Sequence, residues 1–339
     1  MIDLSELQDS AQKAFPASAL MPPRDQSWKT VAELGWMLVD LPEELGGLGL
    51  PREAAAAILF ELGKGLNTAP LTPALLASRG IASAEHFAAR ADWIERIRGG
   101  EYVPLNMLPG QLETGADGTL SGTISGIFEA DMAAYVLMGA GSAYRLIATD
   151  APGVTLVERP LWDTSRRLFD LRLDGVPAES TVLVADGADA ALLHDEIARS
   201  AHLFVAADSL GGANAALDMS VEYLKVRKQF DRPLAMFQAL KHRCADLKIA
   251  LVTAEALFWA RAHAADTAPV VDLGATKGLA TDTFRLITEE AIQLHGGIGL
   301  TEEYPIHHYM KRAMLNLQLC GSLDHWRGAA GRAALAGYS

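Results

Sequence analysis

Apolar residues recur at helical spacing over most of the second half of the chain. One seam of leucines repeats every seven residues and is interrupted only by Asn214, which predicts a long helix with one mainly apolar face, as in a helical bundle. The leucines of this seam are Leu203, Leu210, Leu217 and Leu224. Similar stripes predict a helix from Leu240 to about Ala264 and another from Asp272 to His295, which Gly296-Gly297 ends.

The first hundred residues also favour helix, most clearly from Ala54 to Leu66, whereas residues 101–186 contain short β-prone runs between turn pairs such as Asp117-Gly118. The predicted strands are Thr119–Ser125, Ala134–Met138, Tyr144–Ala148, Val154–Val157 and Thr181–Val184. The pattern therefore predicts an α+β chain of several domains. They are an N-terminal helical domain over 1–100, a small middle antiparallel β-domain over 101–187 and a C-terminal four-helix bundle over 188–339.

Composition narrows the classes of protein that fit this pattern. Half of the 339 residues are hydrophobic, yet no apolar run reaches the roughly 18 residues needed to cross a bilayer. The acidic start, Met1 to Glu6, lacks a basic stretch before an apolar segment and predicts no signal peptide. Two distant cysteines, Cys244 and Cys320, exclude a disulfide framework and favour a reducing cytoplasm. A net charge of −13 argues against nucleic-acid binding.

Three segments carry residue types that suit ligand binding. Pro42 to Leu50 is a glycine-rich turn without the lysine of a phosphate loop. Arg227-Lys228-Gln229-Phe230 ends the long helix and Gln238 follows; an arginine fork suits a diphosphate, although cations also favour helix C-termini. Gln293-Leu294-His295-Gly296-Gly297-Ile298-Gly299 leads into Thr301 to Pro305, and its adjacent glycines let another surface approach the backbone.

Taken in order, the three segments resemble the acyl-CoA dehydrogenase family over nearly the whole chain. The matching patterns are Pro-Glu-x-x-Gly-Gly-x-Gly, Arg-x-x-Phe and Gln-x-x-Gly-Gly-x-Gly-x-x-x-Glu-Tyr-Pro. The resemblance implies the same helical, β and helical order, an acyl-CoA thioester substrate and FAD bound at a subunit interface. The residues that match the family's contacts with the ADP part of FAD are Arg227, Gln229, Phe230, Gln238, Gln293, Leu294, Gly296 and Gly297.

The half of the site that would hold the flavin ring departs from the family pattern. Val103 to Gly110 lacks the Ser-Asp pair of the family's flavin loop, and Gly126-Ile127-Phe128 stands where the family has Trp-Ile-Ser/Thr. The family's usual base, a glutamate that removes the Cα proton, aligns with Cys320. Relatives that place the glutamate on the long helix align it with about Ala201-His202, where no acid occurs, and Asp324 is a remote substitute.

A chain that keeps the ADP contacts but lacks flavin shield and base implies a second, complete chain. The resemblance is to the smaller subunit of bacterial heterotetrameric (α2β2) acyl-CoA dehydrogenases that act on steroid side-chain CoA thioesters, with an electron acceptor such as electron-transfer flavoprotein. On this interpretation no catalytic residue is assigned to the chain, and Cys320 is expected to be a packing residue.

Two other interpretations stay open from the sequence. One is a self-sufficient homodimeric dehydrogenase that uses Cys320 or Asp324 as its base, and the other is a non-catalytic regulatory subunit that binds flavin or acyl-CoA. The pair His307-His308, close to Glu302-Glu303, has metal-binding residue types. Because adjacent helical residues point to different faces, no metal ligand is predicted there.

Overall fold

A computed structural model describes residues 4–336 of the chain. Its helices are α1 Leu4–Ala14, α2 Arg24–Glu33, α3 Arg52–Lys64, α4 Leu71–Ser83, α5 Arg90–Arg98, α6 Gly187–Val226, α7 Gln238–His263, α8 Val270–His295, α9 Ile306–Gln318 and α10 Leu323–Ala336. Its strands are β1 Gln111–Thr114, β2 Thr119–Phe128, β3 Tyr135–Ala140, β4 Ala143–Ala148, β5 Val154–Arg159, β6 Leu168–Pro177, β7 Val182–Asp186, β8 Lys228–Gln229 and β9 Arg232–Pro233. The first three residues of the acidic start lie outside the described residues.

The predicted fold class is confirmed, with helices first, antiparallel strands in the middle and helices last. Every predicted strand has a counterpart among β2, β3, β4, β5 and β7, but β1, the central strand β6 and the short pair β8 and β9 were not predicted. Strand β6 contains Asp170, Arg172 and Asp174, residue types that are not typical of strands, and Asp170 is buried against Arg159 of β5 at 2.9 Å. The buried Phe169, Leu171 and Leu173 of the same strand supply the apolar packing that outweighs this low propensity.

By its internal packing the chain divides into two compact units. Residues 23–55 and 68–201 form one, here called the sheet unit, and residues 56–67 and 202–336 belong to the other, here called the helical unit, together with the N-terminal helix α1. The division into three domains with boundaries near residues 100 and 187 stays a prediction.

The sheet unit contains a four-stranded sheet in the order β1-β2-β6-β5 and a three-stranded sheet in the order β3-β4-β7. All pairings are antiparallel, and buried residues such as Ile124 and Leu171 face each other in register between β2 and β6. The register between β2 and β6 shifts at two places, next to Gly122 and Gly126. Both glycines have positive φ, at 141° and 76°, which a residue with a side chain rarely adopts.

An ion cluster ties α3, α4 and α6 together inside the sheet unit. Glu196 accepts hydrogen bonds from Arg52, which is 2% exposed, and from Nε of Arg79 at 2.9 Å. Arg79 also donates through Nη1 to Asp40 Oδ2 at 3.1 Å. Burial by itself raises the pKa of Glu196, but the charges of Arg52 and Arg79 outweigh it and hold that pKa below its ordinary value.

The helical unit is built on close contacts among helix backbones. A side-chain carbon at Gly211 of α6 would collide with the Phe60 carbonyl oxygen of α3, and one at Gly63 would collide with the Asp208 carbonyl oxygen. Glycine at both positions therefore allows the two helices to cross at short range. The fully buried Phe258 and Phe284, from α7 and α8, fill the core of this unit.

A buried polar network fixes α9 against α6. Arg312, which is 1% exposed, donates to Asp208 Oδ1 at 2.9 Å, and Asn316 donates to Asp208 Oδ2 at 2.7 Å and to Ser209 Oγ at 3.0 Å. Arg312 also reaches the Asn67 carbonyl oxygen at 3.4 Å. The charge on Asp208 is therefore compensated where water has little access, as a buried carboxylate requires.

Between Leu4 and Ala336, none of the helices combines the length and the apolar content needed to cross a membrane.

We expect the substitution Glu196→Gln to lower stability by about 3 kcal/mol at pH 7, because it leaves two partly buried guanidinium groups without their shared countercharge. The depressed pKa of Glu196 means that its contribution is present above the unfolded-state pKa of 4.5 and is lost as pH falls through the folded-state value. Thermal melting from pH 7 to pH 3 should show the difference from the wild type shrinking with acidity. As a control, Glu95→Gln removes an exposed pair with Arg98 and should change stability by less than about 1 kcal/mol.

Candidate functional site

The helical unit brings the second and third sequence motifs to one of its ends. Tyr223 of α6 stacks on His295 of α8 with ring centroids 4.4 Å apart, and its hydroxyl donates to the His295 carbonyl oxygen at 3.3 Å. The Arg227 backbone N–H donates to the Tyr223 carbonyl oxygen at 2.9 Å, so Arg227 lies one turn farther along. The C-terminal ends of α6 and α8 therefore lie side by side, with Arg227 next to the segment that begins at Gly296.

A two-residue hairpin follows Arg227. Gln229 of β8 pairs with Arg232 of β9, and the two turn residues, Phe230 and Asp231, have positive φ of 54° and 58°. A type I′ turn of this kind normally takes asparagine or glycine, so the phenylalanine is held in a conformation that its side chain disfavours. Its ring is 84% exposed and lies edge-on to Phe237, at 6.0 Å between centroids. Backbone strain combined with an exposed aromatic ring is a pattern that clusters at binding sites.

The start of α7 lies beside the end of α8. Arg243 of α7 donates through Nε to Glu290 Oε2 at 2.8 Å. Gln238 is the first residue of α7 and Gln293 lies in the last turn of α8, and both are exposed. Their amides therefore present donors and acceptors at the same end of the unit as Arg227.

All the predicted ADP-contact residues except Leu294 are exposed at this end of the helical unit. Leu294 is only 5% exposed and its side chain belongs to the core. Any contact that Leu294 makes with a ligand must therefore use its backbone. The sequence could not make this distinction, because Leu294 occupies both an apolar position of the α8 stripe and a position of the motif.

The first and third motifs contain glycine for different structural reasons. In the first motif, a side-chain carbon at Gly47 would collide with the Leu41 carbonyl oxygen, so the turn itself requires glycine. At the end of α8, Gly296 has φ 65° and ψ −145°, a backbone conformation almost confined to glycine. Gly297 is exposed, and a side-chain carbon there would meet nothing within 4 Å. Nothing in the described chain requires a glycine at 297, which fits a second molecule that approaches the backbone.

These residues suit the ADP part of FAD. Arg227 offers a planar cation for a diphosphate, and the exposed Phe230 ring offers a face for an aromatic base. The amides of Gln229, Gln238 and Gln293 can donate and accept hydrogen bonds, and the bare backbone at Gly297 allows close approach. The residues present therefore fit the cofactor that the sequence predicts.

In the sheet unit, Gly126 aligns with the tryptophan of the family's flavin shield, and the chain's own Leu108 covers it. A side-chain carbon at Gly126 would lie 2.6 Å from Leu108 Cγ and 2.8 Å from the Leu108 backbone nitrogen. The Met107 backbone N–H donates to the Gly126 carbonyl oxygen at 2.8 Å, and Asn106 donates to the Leu108 carbonyl oxygen at 2.8 Å. A tryptophan at 126 would not fit under this segment.

Cys320, at the position of the usual base, is held as a neutral thiol. Burial raises its pKa to about 11, although the charge of Lys277 acts in the opposite direction. Lys277 of α8 is completely buried and donates to the Gly321 carbonyl oxygen at 2.8 Å, and burial lowers its pKa to about 8. The Trp326 indole N–H donates to the Cys320 carbonyl oxygen at 2.8 Å.

Trp326 also fills the space around Cys320. A side-chain carbon at Gly274 would collide with its ring, and the buried His202 lies edge-on to it at 4.5 Å between centroids. The other candidate base, Asp324, is exposed in the first turn of α10. Sequence analysis did not identify Lys277 or Trp326, although Gly274 and Gly278, four residues apart on α8, are a signal for close approach of a large side chain.

Comparisons with known proteins agree with this geometry. The chain matches the family described as "Acyl-CoA dehydrogenase, N-terminal domain" over residues 5–101 and "Acyl-CoA dehydrogenase, C-terminal domain" over residues 199–335. It is 32% identical over 296 residues to acyl-CoA dehydrogenase IpdE2 of Mycolicibacterium smegmatis, which covers 87% of this chain and 83% of that protein.

Solved structures with a similar fold include the "Tcur3481-Tcur3483 steroid ACAD G363A variant", with TM-score 0.84, 27% identity and coverage of 99% of this chain and 98% of that one. The ChsE4-ChsE5 complex from Mycobacterium tuberculosis gives TM-score 0.84 at 23% identity, covering 97% of this chain and 96% of that one. The predicted resemblance is thus confirmed, and it supports FAD as the cofactor. The chain belongs to the acyl-CoA dehydrogenase family.

Proposed function

We propose that this chain is a subunit of an FAD-dependent acyl-CoA dehydrogenase that holds the ADP part of FAD in a site shared with a homologous catalytic subunit. The observation that carries the proposal is a contrast between two glycines. Gly297 is open, as a residue at a cofactor surface should be, whereas the chain's own Leu108 covers Gly126 at the position of the flavin shield.

The residues of this chain contribute binding and orientation. When bound, FAD supplies an acceptor for the hydride that leaves Cβ of the acyl thioester. Arg227 would pair with the diphosphate, Phe230 would stack on the base, and Gln229, Gln238 and Gln293 would orient the nucleotide through hydrogen bonds. Gly296 and Gly297 let the cofactor reach the backbone.

The proton on Cα must go to a base that this chain does not offer. The Cys320 thiol, with a pKa of about 11, carries almost no thiolate at neutral pH. The buried Lys277 beside it is engaged with the Gly321 and Leu317 carbonyl oxygens at 2.8 and 3.4 Å. We therefore assign the base to the partner subunit.

Helix α7 offers a surface for such a partner. An apolar stripe with spacing of four, three and four residues remains exposed along it, with Ile249 at 64% and Val252 at 49%. The stripe, here called the α7 stripe, consists of Ala245, Ile249, Val252 and Ala256. This is the spacing with which one helix packs against another, and a run of exposed apolar residues on one face is typical of an interface.

The similar structures support the finer parts of the proposal. One is a steroid acyl-CoA dehydrogenase variant, and another is the ChsE4-ChsE5 complex from Mycobacterium tuberculosis. We infer a steroid side-chain CoA thioester as substrate and an α2β2 assembly. Electron-transfer flavoprotein as acceptor and a cytoplasmic location remain predictions from the sequence.

The decisive experiment compares the purified chain alone with the chain co-expressed with a homologous dehydrogenase chain that retains the glutamate. We expect the chain alone to be colourless and inactive, and the complex to be yellow and to oxidise an acyl-CoA thioester, because neither half-site is complete without the other. Absorbance near the flavin bands and dye-linked turnover provide the readout. A yellow, active protein made of this chain alone would overturn the proposal.

In the same complex, Cys320→Ala should leave kcat within about twofold of the wild type, because a protonated thiol takes no part in proton removal. This variant tests the self-sufficient alternative. Loss of turnover with normal folding and flavin content would make Cys320 the base. Equal loss in an Asp324→Asn variant would instead point to that carboxylate.

Gly297→Ala should raise the FAD dissociation constant about tenfold or more, because a methyl group would stand where the backbone now admits the cofactor. The chain itself has room for this methyl, so the melting temperature without FAD should not fall. Gly331→Ala is the matched control, since a side-chain carbon at Gly331 also meets nothing within 4 Å. Equal FAD affinity in both variants would remove Gly297 from the site.

Ile249→Lys should weaken association with the partner by about 2 kcal/mol or more, roughly thirtyfold, because it places a charge within the α7 stripe. Analytical ultracentrifugation or size-exclusion chromatography would measure the association. Leu192→Lys on α6 serves as the control, because Leu192 is 72% exposed but lies outside the stripe. If both variants assemble like the wild type, the stripe is not the interface.

A further inference from the structure

Three metal-binding side chains meet where α9 begins. His307 Nε2 lies 3.5 Å from Glu302 Oε1, and His308 Nε2 lies 3.8 Å from Glu302 Oε2. One ligand atom from each of the three residues can be chosen so that all lie within 4.8 Å of one another. The cluster lies in the turn that follows the Gly296-Gly297 segment, within the helical unit.

The expectation that the adjacent histidines diverge is wrong here, since their ring centroids lie 4.0 Å apart. His307 and His308 belong to the first turn of α9, where no preceding helical turn restricts the side-chain rotamers. Helical side chains also lean toward the N-terminal end, which is the direction of Glu302. Position at the helix start therefore brings both imidazoles to one place.

His307 is prepared to be a ligand. Its Nδ1–H donates to the Tyr304 carbonyl oxygen at 3.0 Å, which leaves the lone pair on Nε2 in the neutral ring. Residue His307 is 7% exposed, and Nε2 is buried with no hydrogen-bond donor supplied to it by residues 4–336. A backbone carbonyl that accepts from the second ring nitrogen is the usual support of a metal-bound histidine.

The buried Nε2 lone pair faces a carboxylate oxygen, which is also an acceptor. Two acceptors face each other favourably only when a cation lies between them. Ligands at about 2.0–2.2 Å from a tetrahedral zinc ion stand roughly 3.3–3.5 Å apart. One ligand atom from each of the three residues lies within 4.8 Å of the other two, so the side chains have to close slightly around an ion. Glu302 is 83% exposed, so an ion has access from solvent.

We propose that Glu302, His307 and His308 form a binding site for a divalent transition metal, with zinc as the best-matched ion. Two imidazoles and one carboxylate are a donor set that zinc accepts, with water in the fourth position. The ion joins the turn around Glu302 to the first turn of α9. That turn also carries Tyr304, whose ring lies 4.6 Å from the His295 ring, so the metal stabilises the end of the helical unit.

The test uses the full-length chain without an affinity tag, stripped of metal with EDTA and then dialysed. Zinc is added, excess ion is removed by gel filtration, and the bound zinc is measured by mass spectrometry alongside the melting temperature. We expect one zinc per chain and a higher melting temperature, because an ion that binds only the folded state stabilises it. The readout does not require FAD or a partner, so it is independent of the proposed function.

Glu302→Gln and His308→Ala should each weaken zinc binding at least about tenfold, since each removes one of three ligands. Glu302→Gln keeps the shape of an exposed side chain, so it tests the site even if a histidine variant unfolds. His242→Ala, at an exposed histidine of α7, is the matched control and should bind zinc like the wild type. No zinc retained by the wild type, or equal binding in Glu302→Gln, would overturn the proposal.

Discussion

A charge buried in the helical unit has to meet an opposite charge or a set of carbonyl oxygens, and the positions of α9 and α10 follow from this constraint. Arg312 of α9 is paired with Asp208 of α6, and the buried Lys277 of α8 reaches the carbonyl oxygens of Leu317 and Gly321 at the end of α9. The middle of α9 and its C-terminal end are thus fixed by charge compensation. The position of Cys320, between Lys277 and the Trp326 indole, is a consequence.

The same packing separates a closed region from an open one. Trp326 lies against Gly274 and His202 and donates to the Cys320 carbonyl oxygen, and burial raises the pKa of the Cys320 thiol. At the other end of α8 the chain leaves Gly297 bare. In the sheet unit the segment before β1 covers Gly126. The division of roles proposed above accounts for a chain that keeps an open surface at Gly297 while its own residues occupy the positions of the flavin shield and the base.

Much of the fold followed from periodicity, because apolar seams such as Leu203 to Leu224 and the alternation in β2 are local signals of burial. Strand β6 did not, because Asp170, Arg172 and Asp174 are residue types that are uncommon in strands. The ordered glycine and arginine motifs predicted a dinucleotide site, but they could not show which glycines serve it. Gly47 is required by its own turn, whereas nothing in the described chain requires a glycine at 297. Nor could they show that the Leu294 side chain lies in the core.

The sequence by itself determined the helical, β and helical order, the family, the ADP-contact residues as candidates and the lack of a carboxylate at position 320. These depend on residue types and on spacing along the chain, which a sequence states directly. Only the tertiary structure decided that the pKa of the Cys320 thiol is raised and that the His307 and His308 rings meet at Glu302. The pKa of a thiol depends on how much water the surrounding chain excludes. Whether two side chains meet depends on their rotamers and on where a helix begins. The spacing of residues along the chain encodes neither the exclusion of water nor the rotamers.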